Sequence, residues 1–396
     1  MTLIFLKMLN EKKNINVGFV INYRLDGWLG VTNYYLNLFN TVKLHNNRES
    51  KINIIILSDK FITKKEKNLF KDFKIIKTNI LNRNSRITKI LNLFQIIFFG
   101  KNFFLEKFLK KNNIDIISHT SYLGNKSKIP SIKWFPDFQE YYFPNNFSFK
   151  QRIARKLDLI MSTMHSNKLI VSSKSVLSDL RKINKKSYKK ALILNHFNTI
   201  NKNNIPKIAD IKKKYNIKLP KSFIYLPNHF WKHKNHITVF KSINYIKKKL
   251  NKKIYLVTTG NKNDYRFPNH KKNLDYYIEQ NNIKNQIFNL GIISKKEVYC
   301  LMKNCKLMIN PSLSEGWGNS IDHSIHFKKY IILSKIPVHI EQNPPNGVFF
   351  ESKNFKNLST IILKYMNKKS PQIKTFKKYK FNSYNFYLSY KKIIKS

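Results

Sequence analysis

Short apolar runs alternate with amphipathic stretches along most of the chain. The first run, INVGFVIN (Ile15–Asn22), predicts a buried strand, and a helical pattern follows from Thr32 to Lys43. Further runs predict strands at Ile52–Leu57, Asp115–His119, Ile132–Phe135, Lys168–Val171, Ala191–Leu194, Phe223–Leu226, Lys253–Thr259, Gln286–Leu290, Lys306–Asn310 and Tyr330–Ser334. Helical patterns between them include Lys150–Met164, Ser173–Arg181 with Ser173 as the cap, His236–Leu250, Lys271–Gln280, Lys295–Lys303 and Ile321–Lys328.

This alternation predicts an α/β protein with two doubly wound, Rossmann-like domains that face each other across a cleft. Each series of strands and helices implies a parallel sheet with helices on both faces. The polar stretch 198–221, with two prolines, is interpreted as the connection between the domains. We expect an N-terminal domain over 1–200, a second domain over 201–375, and a C-terminal helix in 376–396 that packs back toward the first domain.

Glycine is scarce, and its positions are informative. Of 10 glycines, six follow predicted strands: Gly27, Gly30, Gly260, Gly291, Gly316 and Gly318. Ligands of open α/β sheets bind beyond the carboxyl ends of the strands, and glycine lets the backbone approach a ligand closely. Any strand-to-helix turn tolerates a glycine, so a single position indicates little. The cluster as a whole indicates a binding edge.

The loop PSLSEGWGNSIDH (Pro311–His323) carries the most promising chemistry. A helix is predicted to begin near Asn319 or Ser320, both of which are good N-caps, and its positive N-terminus favours phosphate. Glu315 is placed to accept hydrogen bonds from ligand hydroxyls, and Asp322 and His323 lie in the first helical turn. The alternative is an ordinary capped helix behind a solvated loop.

A second candidate is YLPNHFWKHKNH (Tyr225–His236), which joins a predicted strand to a helix. Lysine is a compact charge that suits a diphosphate, and this turn contains Lys232 and Lys234. No carboxylate accompanies its three histidines, and their spacing matches no zinc pattern, so we expect no metal. The alternative is a basic, solvated turn.

A third candidate, IKWFPDFQEYYFP (Ile132–Pro144), places Asp137, Gln139 and Glu140 in an aromatic loop. Carboxylates suit the hydroxyls of a sugar, and aromatic rings suit its apolar faces. The alternative is a surface loop anchored by its aromatic residues.

The net charge of +54 indicates an anionic partner, either a membrane surface or nucleic acid. AT-rich codons offer another explanation for the 75 Lys and Arg residues. No RNA-recognition, KH or zinc pattern is present, so nucleic acid is not expected as a partner. Cys300 and Cys305 indicate neither zinc nor a disulfide framework.

The N-terminal apolar run lacks the features of a signal peptide, and the most apolar later stretch, Ile90–Phe99, is too short to cross a bilayer. We therefore expect a cytoplasmic protein that contacts the inner face of the membrane at most peripherally.

Several of these motifs together resemble one enzyme family. The segments PSLSEGWGNSIDH, ILSKIPVHIEQ, GVFF, LPNHFWKHKNH, NLGIISKKEVYCLMKNCKLMINPSLSEG and IPSIKWFPDFQEYYFP are similar to those of retaining GT-B glycosyltransferases of the "glycosyl transferases group 1" family, which have a glycogen-synthase-like second domain. The resemblance covers most of the chain. It implies retaining transfer, of a hexose for example, from a nucleotide-sugar to a glycan or lipid-linked acceptor, in bacterial surface-polysaccharide or lipopolysaccharide synthesis.

The resemblance also implies roles for individual residues. Glu315 matches the first glutamate of a Glu-x7-Glu motif and would contact the hydroxyls of the donor sugar. The backbone of Gly316, Trp317, Gly318, Asn319 and Ser320 would meet the sugar and the diphosphate. Lys234 would neutralise that diphosphate without a metal or other cofactor, Gly27 and Gly30 would face the same phosphates, and Gly260 would line the donor site. Asp137 falls where the acceptor hydroxyl meets the reacting carbon.

Some positions depart from the family pattern. His323 stands where the second glutamate is expected, with Asp322 one position earlier, and His229 replaces a frequent arginine. These differences keep open a catalytically impaired, nucleotide-binding protein of the same fold as an alternative function.

Overall fold

The computed structural model describes residues 12–21, 29–47, 51–82, 84–119, 123–198, 200, 202–372 and 382–396. The chain divides into two compact units. The first comprises residues 1–138, 148–199 and 381–396, and the second comprises 139–147 and 200–380.

Seven strands of the described residues form the parallel sheet of the first unit, in the order β3-β2-β1-β4-β5-β6-β7. They are β1 Asn14–Val20, β2 Lys51–Ser58, β3 Lys74–Lys77, β4 Ile116–His119, β5 Ser131–Phe135, β6 Lys168–Val171 and β7 Ala191–Ile193.

The helices of this unit are α1 Leu29–His45, α2 Lys64–Leu69, α3 Arg86–Phe99, α4 Phe103–Lys111, α6 Phe149–His165, α7 Lys174–Ile183, α8 Lys185–Lys190 and α16 Ser383–Lys395. The C-terminal helix α16 packs against α1, where Phe386, Tyr387 and Tyr390 join the core formed with β1.

Six described strands form the second parallel sheet, in the order β10-β9-β8-β11-β12-β13. They are β8 Ile224–Leu226, β9 Leu256–Thr258, β10 Ile287–Asn289, β11 Leu307–Asn310, β12 Tyr330–Ser334 and β13 Gly347–Phe350.

The helices of the second unit are α5 Gln139–Tyr142, α9 Ile208–Lys214, α10 His236–Leu250, α11 His270–Gln280, α12 Lys295–Asn304, α13 Asn319–His326, α14 Pro337–Gln342 and α15 Phe355–Met366. Separate apolar clusters cover the two faces of this sheet. Its strand order reverses between β8 and β11, and such a reversal is where doubly wound sheets bind ligands.

Both sheets confirm the predicted fold class, and Ser173 caps α7 as expected. Three local predictions were wrong. The helix that follows β1 already begins at Leu29, so Gly30 lies in its first turn and not in a loop. Residues 198–221 are not a plain connection, because they contain α9 and bury Ile211 and Leu219 in the second unit. The helix α13 begins at Asn319, which confirms its predicted start, but its N-cap is Gly318, so neither Asn319 nor Ser320 caps it.

Within the described residues, no helix is both long and apolar enough to cross a membrane.

Candidate active site

The loops that follow β8 and β11 meet where the order of the second sheet reverses. Asn228, just beyond β8, donates a hydrogen bond to the Oδ1 of Asn310 at the end of β11, at 3.0 Å. The backbone N–H of Leu313 donates to the carbonyl of His233 at 2.8 Å. Asn235, in the left-handed conformation, donates to the carbonyls of Pro311 and Ser352. The two loops are therefore fixed to each other by side-chain and backbone bonds.

This arrangement brings Lys234 and Glu315 together. The Nζ of Lys234 lies 2.6 Å from the Oε1 of Glu315, and their side chains are only 14% and 12% exposed. The Oγ of Ser312 donates to the same oxygen at 2.7 Å, and the Nδ2 of Asn310 lies 3.4 Å from it. Among the described residues, the Oε2 of Glu315 accepts no hydrogen bond. The carboxylate is thus held through one oxygen while the other is left for a ligand.

Charge and burial act in opposite directions on the pKa of Glu315. Burial raises the pKa of Glu315, but Lys234, the electrostatic influence of His339 and the hydrogen bonds together bring that pKa below its usual value. The pKa of His339 is lowered to about 4 by burial, so its imidazole is neutral near pH 7. Glu315 is therefore ionised when the site is empty, and Lys234 is its close cationic partner.

A buried ion pair supports the turn that carries Lys234. Asp264, with a fully buried side chain, accepts a hydrogen bond from the backbone N–H of Lys232 at 3.0 Å and another from the Nε of Arg266 at 3.1 Å. The Nη1 of Arg266 donates to Gln139 at 3.0 Å, and residues 139–147 group with this second unit. Asp264 and Arg266 are positioning residues for Lys234, and the sequence offered no signal for them.

The glycine loop beyond β11 is held by Gln342 of α14. The side-chain oxygen of Gln342 accepts from the backbone N–H of Gly318 at 3.0 Å, and its nitrogen donates to the Gly318 carbonyl at 3.3 Å. Trp317 and Asp322 are buried, and Ser320 accepts a hydrogen bond from Asn310. Within the described residues no side chain caps α13, and the partial positive charge at its N-terminus favours an anion.

His323 lies on the side of α13 that faces α12. Its ring meets that of Tyr299 edge to face, at 5.7 Å between centroids. Burial, and then the charge of Lys295, lower the pKa of His323 to about 3, so the imidazole is neutral at physiological pH. A neutral imidazole retains one donor and one acceptor for a ligand hydroxyl.

The three histidines of the β8 loop have separate surroundings. The Nδ1 of His229 accepts from the backbone N–H of Asn261 at 2.7 Å, His233 lies beside Arg266, and His236 stacks on Phe230 at 4.2 Å. Burial lowers the pKa of all three. No cluster of metal-ligating side chains occurs in the part of the chain that the structure describes.

Two of the remaining candidate residues lie in the first unit. Asp137 follows β5, and its Oδ1 is 3.5 Å from the Nη2 of Arg155 on α6. Gly30 is exposed on α1, and a Cβ added there would meet no atom of the described residues within 4 Å. The prediction for Gly27 lies outside the described residues.

The backbone conformation and surroundings of Gly260 leave no room for a side chain, unlike those of Gly30. Its φ is +124°, its N–H donates to the carbonyl of Gly291 at 2.7 Å, and an added Cβ would lie 2.8 Å from the carbonyl oxygen of Asn228. Only glycine meets both demands, because the conformation and the nearby backbone each exclude a side chain.

We therefore predict that Gly260→Ala destabilises the protein by about 2–4 kcal/mol, through backbone strain and overpacking. Gly30→Ala is the matched control, and it should leave stability unchanged or raise it by about 0.5–1 kcal/mol, since alanine favours a helix. Urea unfolding of both variants tests this difference. Equal midpoints would contradict the assignment of Gly260.

Comparison with known proteins agrees with this geometry. Residues 207–384 match the model of the family described as glycosyl transferases group 1. No curated protein sequence gives a significant match.

Three solved structures have a similar fold. A glycosyltransferase from Rickettsia africae ESF-5 is 17% identical, with a TM-score of 0.63 over 97% of this chain and 96% of that one. Anabaena Alr3699/HepE, solved with UDP and glucose, is 12% identical, with a TM-score of 0.68 over 96% and 98%. The lipopolysaccharide outer core galactosyltransferase WaaB is 12% identical, with a TM-score of 0.61 over 96% and 99%.

The matched segment contains both Lys234 and Glu315, and the fold similarity extends over nearly the whole chain. Residues 207–384 therefore match the glycosyl transferases group 1 family, and the chain has the two Rossmann-like domains of the GT-B fold.

Proposed function

We propose that this protein transfers a sugar, such as a hexose, from a nucleotide-sugar to a glycan or lipid-linked acceptor, with retention of anomeric configuration. The observation that carries the proposal is the Lys234–Glu315 pair at the reversal point of the second sheet. A sugar diphosphate needs a cation beside its phosphates and a hydrogen-bond acceptor beside its sugar hydroxyls. Lys234 supplies the first and Glu315 the second.

Lys234 neutralises the leaving diphosphate. One N–H of its ammonium group donates a hydrogen bond to Glu315, and no described residue accepts a hydrogen bond from the other two N–H groups. Charge on the diphosphate grows as the bond to the sugar breaks, so a fixed cation stabilises the transition state more than the bound substrate. The N-terminus of α13 adds its partial positive charge from the other side of the loop.

Glu315 orients the sugar through its Oε2, which accepts from a sugar hydroxyl. We assign the backbone from Gly316 to Ser320, positioned by Gln342, to contacts with the sugar and the diphosphate. We assign His229, Gly260, Trp317, Asp322 and His323 to the remainder of the donor site, with His323 hydrogen-bonding a ribose hydroxyl as a neutral imidazole. We also assign Gly27 and Gly30 to the donor site, next to the phosphates.

The reaction we propose breaks the bond between C1 of the sugar and the diphosphate oxygen. The acceptor oxygen bonds to C1 from the same face, and its proton passes to a diphosphate oxygen, so the protein needs no separate base. Asp137 is assigned to the acceptor side. Lys234 performs the electrostatic work, and we therefore propose transfer without a metal ion.

The similar structures support a nucleotide-sugar donor, since Anabaena HepE has been solved with UDP and with UDP-glucose. WaaG, described as a glycosyltransferase involved in lipopolysaccharide biosynthesis, is 12% identical with a TM-score of 0.59. We infer that the product enters a bacterial surface polysaccharide or lipopolysaccharide, made on the inner face of the cytoplasmic membrane.

A panel of UDP-, GDP- and ADP-sugars, with and without EDTA, tests the function. We expect one nucleotide to bind and its sugar to be transferred or slowly hydrolysed, at the same rate when EDTA is present. Proton NMR of the product reports the anomeric configuration. A folded sample that binds none of the donors would refute the proposal, and nucleotide binding without any turnover would favour the impaired alternative.

A further inference from the structure

The helix α3 presents its polar side to the protein and its apolar side to solvent. Asn92 donates to the carbonyl of Ile80 at 3.0 Å, and the buried Gln95 accepts from the backbone N–H of Phe103 at 3.0 Å. Of the fourteen residues of α3, only Gln95 and Ile96 are buried. The usual pattern of a surface helix, with apolar residues inward, is reversed here.

The outward side is a continuous apolar surface, which we call the α3 face. Ten large apolar side chains in the fully described stretch 87–104 are each at least 41% exposed: Ile87, Ile90, Leu91, Leu93, Phe94, Ile97, Phe98, Phe99, Phe103 and Phe104. Successive aromatic rings touch along it, with centroids 4.4 Å apart for Phe94 and Phe98 and 5.6 Å for Phe99 and Phe103. An exposed apolar area of this size marks a surface that is covered in use.

The charges around the α3 face indicate what covers it. From residue 86 to 105 the chain has Arg86, Lys89 and Lys101 and no acidic residue. The Nζ of Lys101 lies 4.5 Å from the ring centre of Phe103, at the edge of the apolar surface. An apolar strip bordered by cations matches the interface of an anionic bilayer, where acyl chains lie beneath negative headgroups.

The dimensions of α3 favour a helix that lies in the plane of the membrane. Its 14 residues extend about 21 Å, less than the roughly 30 Å of the hydrocarbon core. A second copy of the chain is a poorer occupant, because a symmetric contact would bring like charges together without an acid between them. An anionic lipid surface satisfies both the apolar side chains and their basic border.

We propose that the α3 face binds the interface of an anionic lipid bilayer and holds the first unit against it. This inference does not depend on the proposed sugar transfer. The apolar side chains enter the boundary between headgroups and acyl chains, while Arg86, Lys89 and Lys101 meet lipid phosphates. The rest of the basic surface adds a longer-range attraction that salt weakens.

Flotation of the full chain with vesicles tests the proposal. The probes are phosphatidylcholine vesicles with one third phosphatidylglycerol and vesicles of phosphatidylcholine alone. Ile90→Glu with Phe98→Glu changes the two sites most exposed near the centre of the α3 face, at 65% and 68%. We expect this double variant to lower partitioning onto the anionic vesicles about tenfold or more, since it removes two apolar anchors and adds two negative charges.

Tyr276→Glu with Leu250→Glu is the matched control, with the same charge change at exposed apolar sites of the second unit. It should partition as the unchanged protein does. The double variant Ile90→Asn/Phe98→Asn separates the apolar contribution from the charge. Its partitioning should lie between that of Ile90→Glu/Phe98→Glu and that of the unchanged protein. Circular dichroism and nucleotide binding should be the same for all variants, which distinguishes a failure here from a failure of the proposed function.

Two results would overturn the proposal. One is equal flotation of the Ile90→Glu/Phe98→Glu variant and the unchanged protein, or flotation of neither. The other is concentration-dependent dimerisation of the lipid-free chain that this variant abolishes, because the α3 face would then be a contact between copies.

Discussion

Lys234→Met should lower the rate of sugar transfer by about two to three orders of magnitude, with a smaller effect on the affinity for the nucleotide. The ammonium group lies 2.6 Å from Glu315 in a largely buried site, where the charge of a leaving diphosphate would otherwise have little compensation. Removing one preorganised electrostatic contact to a developing charge typically has an effect of this size. Steady-state kinetics with the donor identified by the panel measures it.

The same substitution has a second effect, on stability. With Lys234 removed, the Glu315 carboxylate stays buried without its cation, and breaking such a pair costs about 3–5 kcal/mol. Glu315→Gln should be destabilising in the same way. The double variant Lys234→Met/Glu315→Gln buries neither charge, so it should regain much of the stability while transfer stays low. Urea unfolding and turnover of the same samples therefore separate folding from catalysis.

Lys232→Met is the control for this series. Lys232 is exposed, lies two residues before Lys234 in the same turn, and has its Nζ 4.3 Å from the ring centre of Phe267. This variant should retain most of the activity and stability. Undiminished transfer by Lys234→Met, or by Glu315→Gln, would show that the site has been assigned to the wrong residues.

The second large effect is a loss of stability in mild acid. The pKa is lowered to about 3 for His119, His196, His236 and His323 and to about 4 for His339, in each case chiefly by burial. The unfolded chain takes up protons near pH 6.5 and the folded chain does not, so unfolding becomes more favourable as pH falls below that value.

The expected magnitude follows from the size of these shifts. Between pH 7.5 and 5.5 each of the five histidines contributes about 1.4 kcal/mol, or at most about 7 kcal/mol together. That is comparable with the whole free energy of unfolding of many proteins. Urea unfolding at a series of pH values should show the midpoint falling steeply through this range.

A variant tests whether buried histidines are the cause. His236→Phe should reduce the number of protons taken up on unfolding by about one, because phenylalanine can replace the imidazole in its stack on Phe230 without titrating. The slope of the unfolding free energy against pH measures that number directly. A free energy of unfolding that stays constant from pH 7.5 to 5.5 would rule the explanation out.

The sequence pattern was sufficient for the fold class, because buried parallel strands are short apolar runs between helical patterns. It missed β3 and β13. The first is KIIK, with lysine at each end, and β13 is only partly buried. Glu315 and Lys234 were identifiable because both follow predicted strands, and the ends of parallel strands share one edge of a sheet.

The rest of the site depends on contacts between residues far apart in sequence. Gly318 became the N-cap of α13 where a side-chain cap was expected, and Gln342, 24 residues later, binds its backbone. The sequence predicts Asn310 only as the end of a strand, yet its amide joins Asn228, Ser312, Glu315 and Ser320. No local pattern encodes such partners.

The separation between the two central residues also bears on how the protein is made. Lys234 and Glu315 lie 81 positions apart and meet only when β11 pairs with β8. At a synthesis rate of roughly 5–20 residues per second, Lys234 is added to the chain about 4 to 16 seconds before Glu315. During that interval β8 has an unpaired edge on the side that β11 will occupy. The nascent chain must therefore avoid pairing that edge with other strands until β11 has been synthesised.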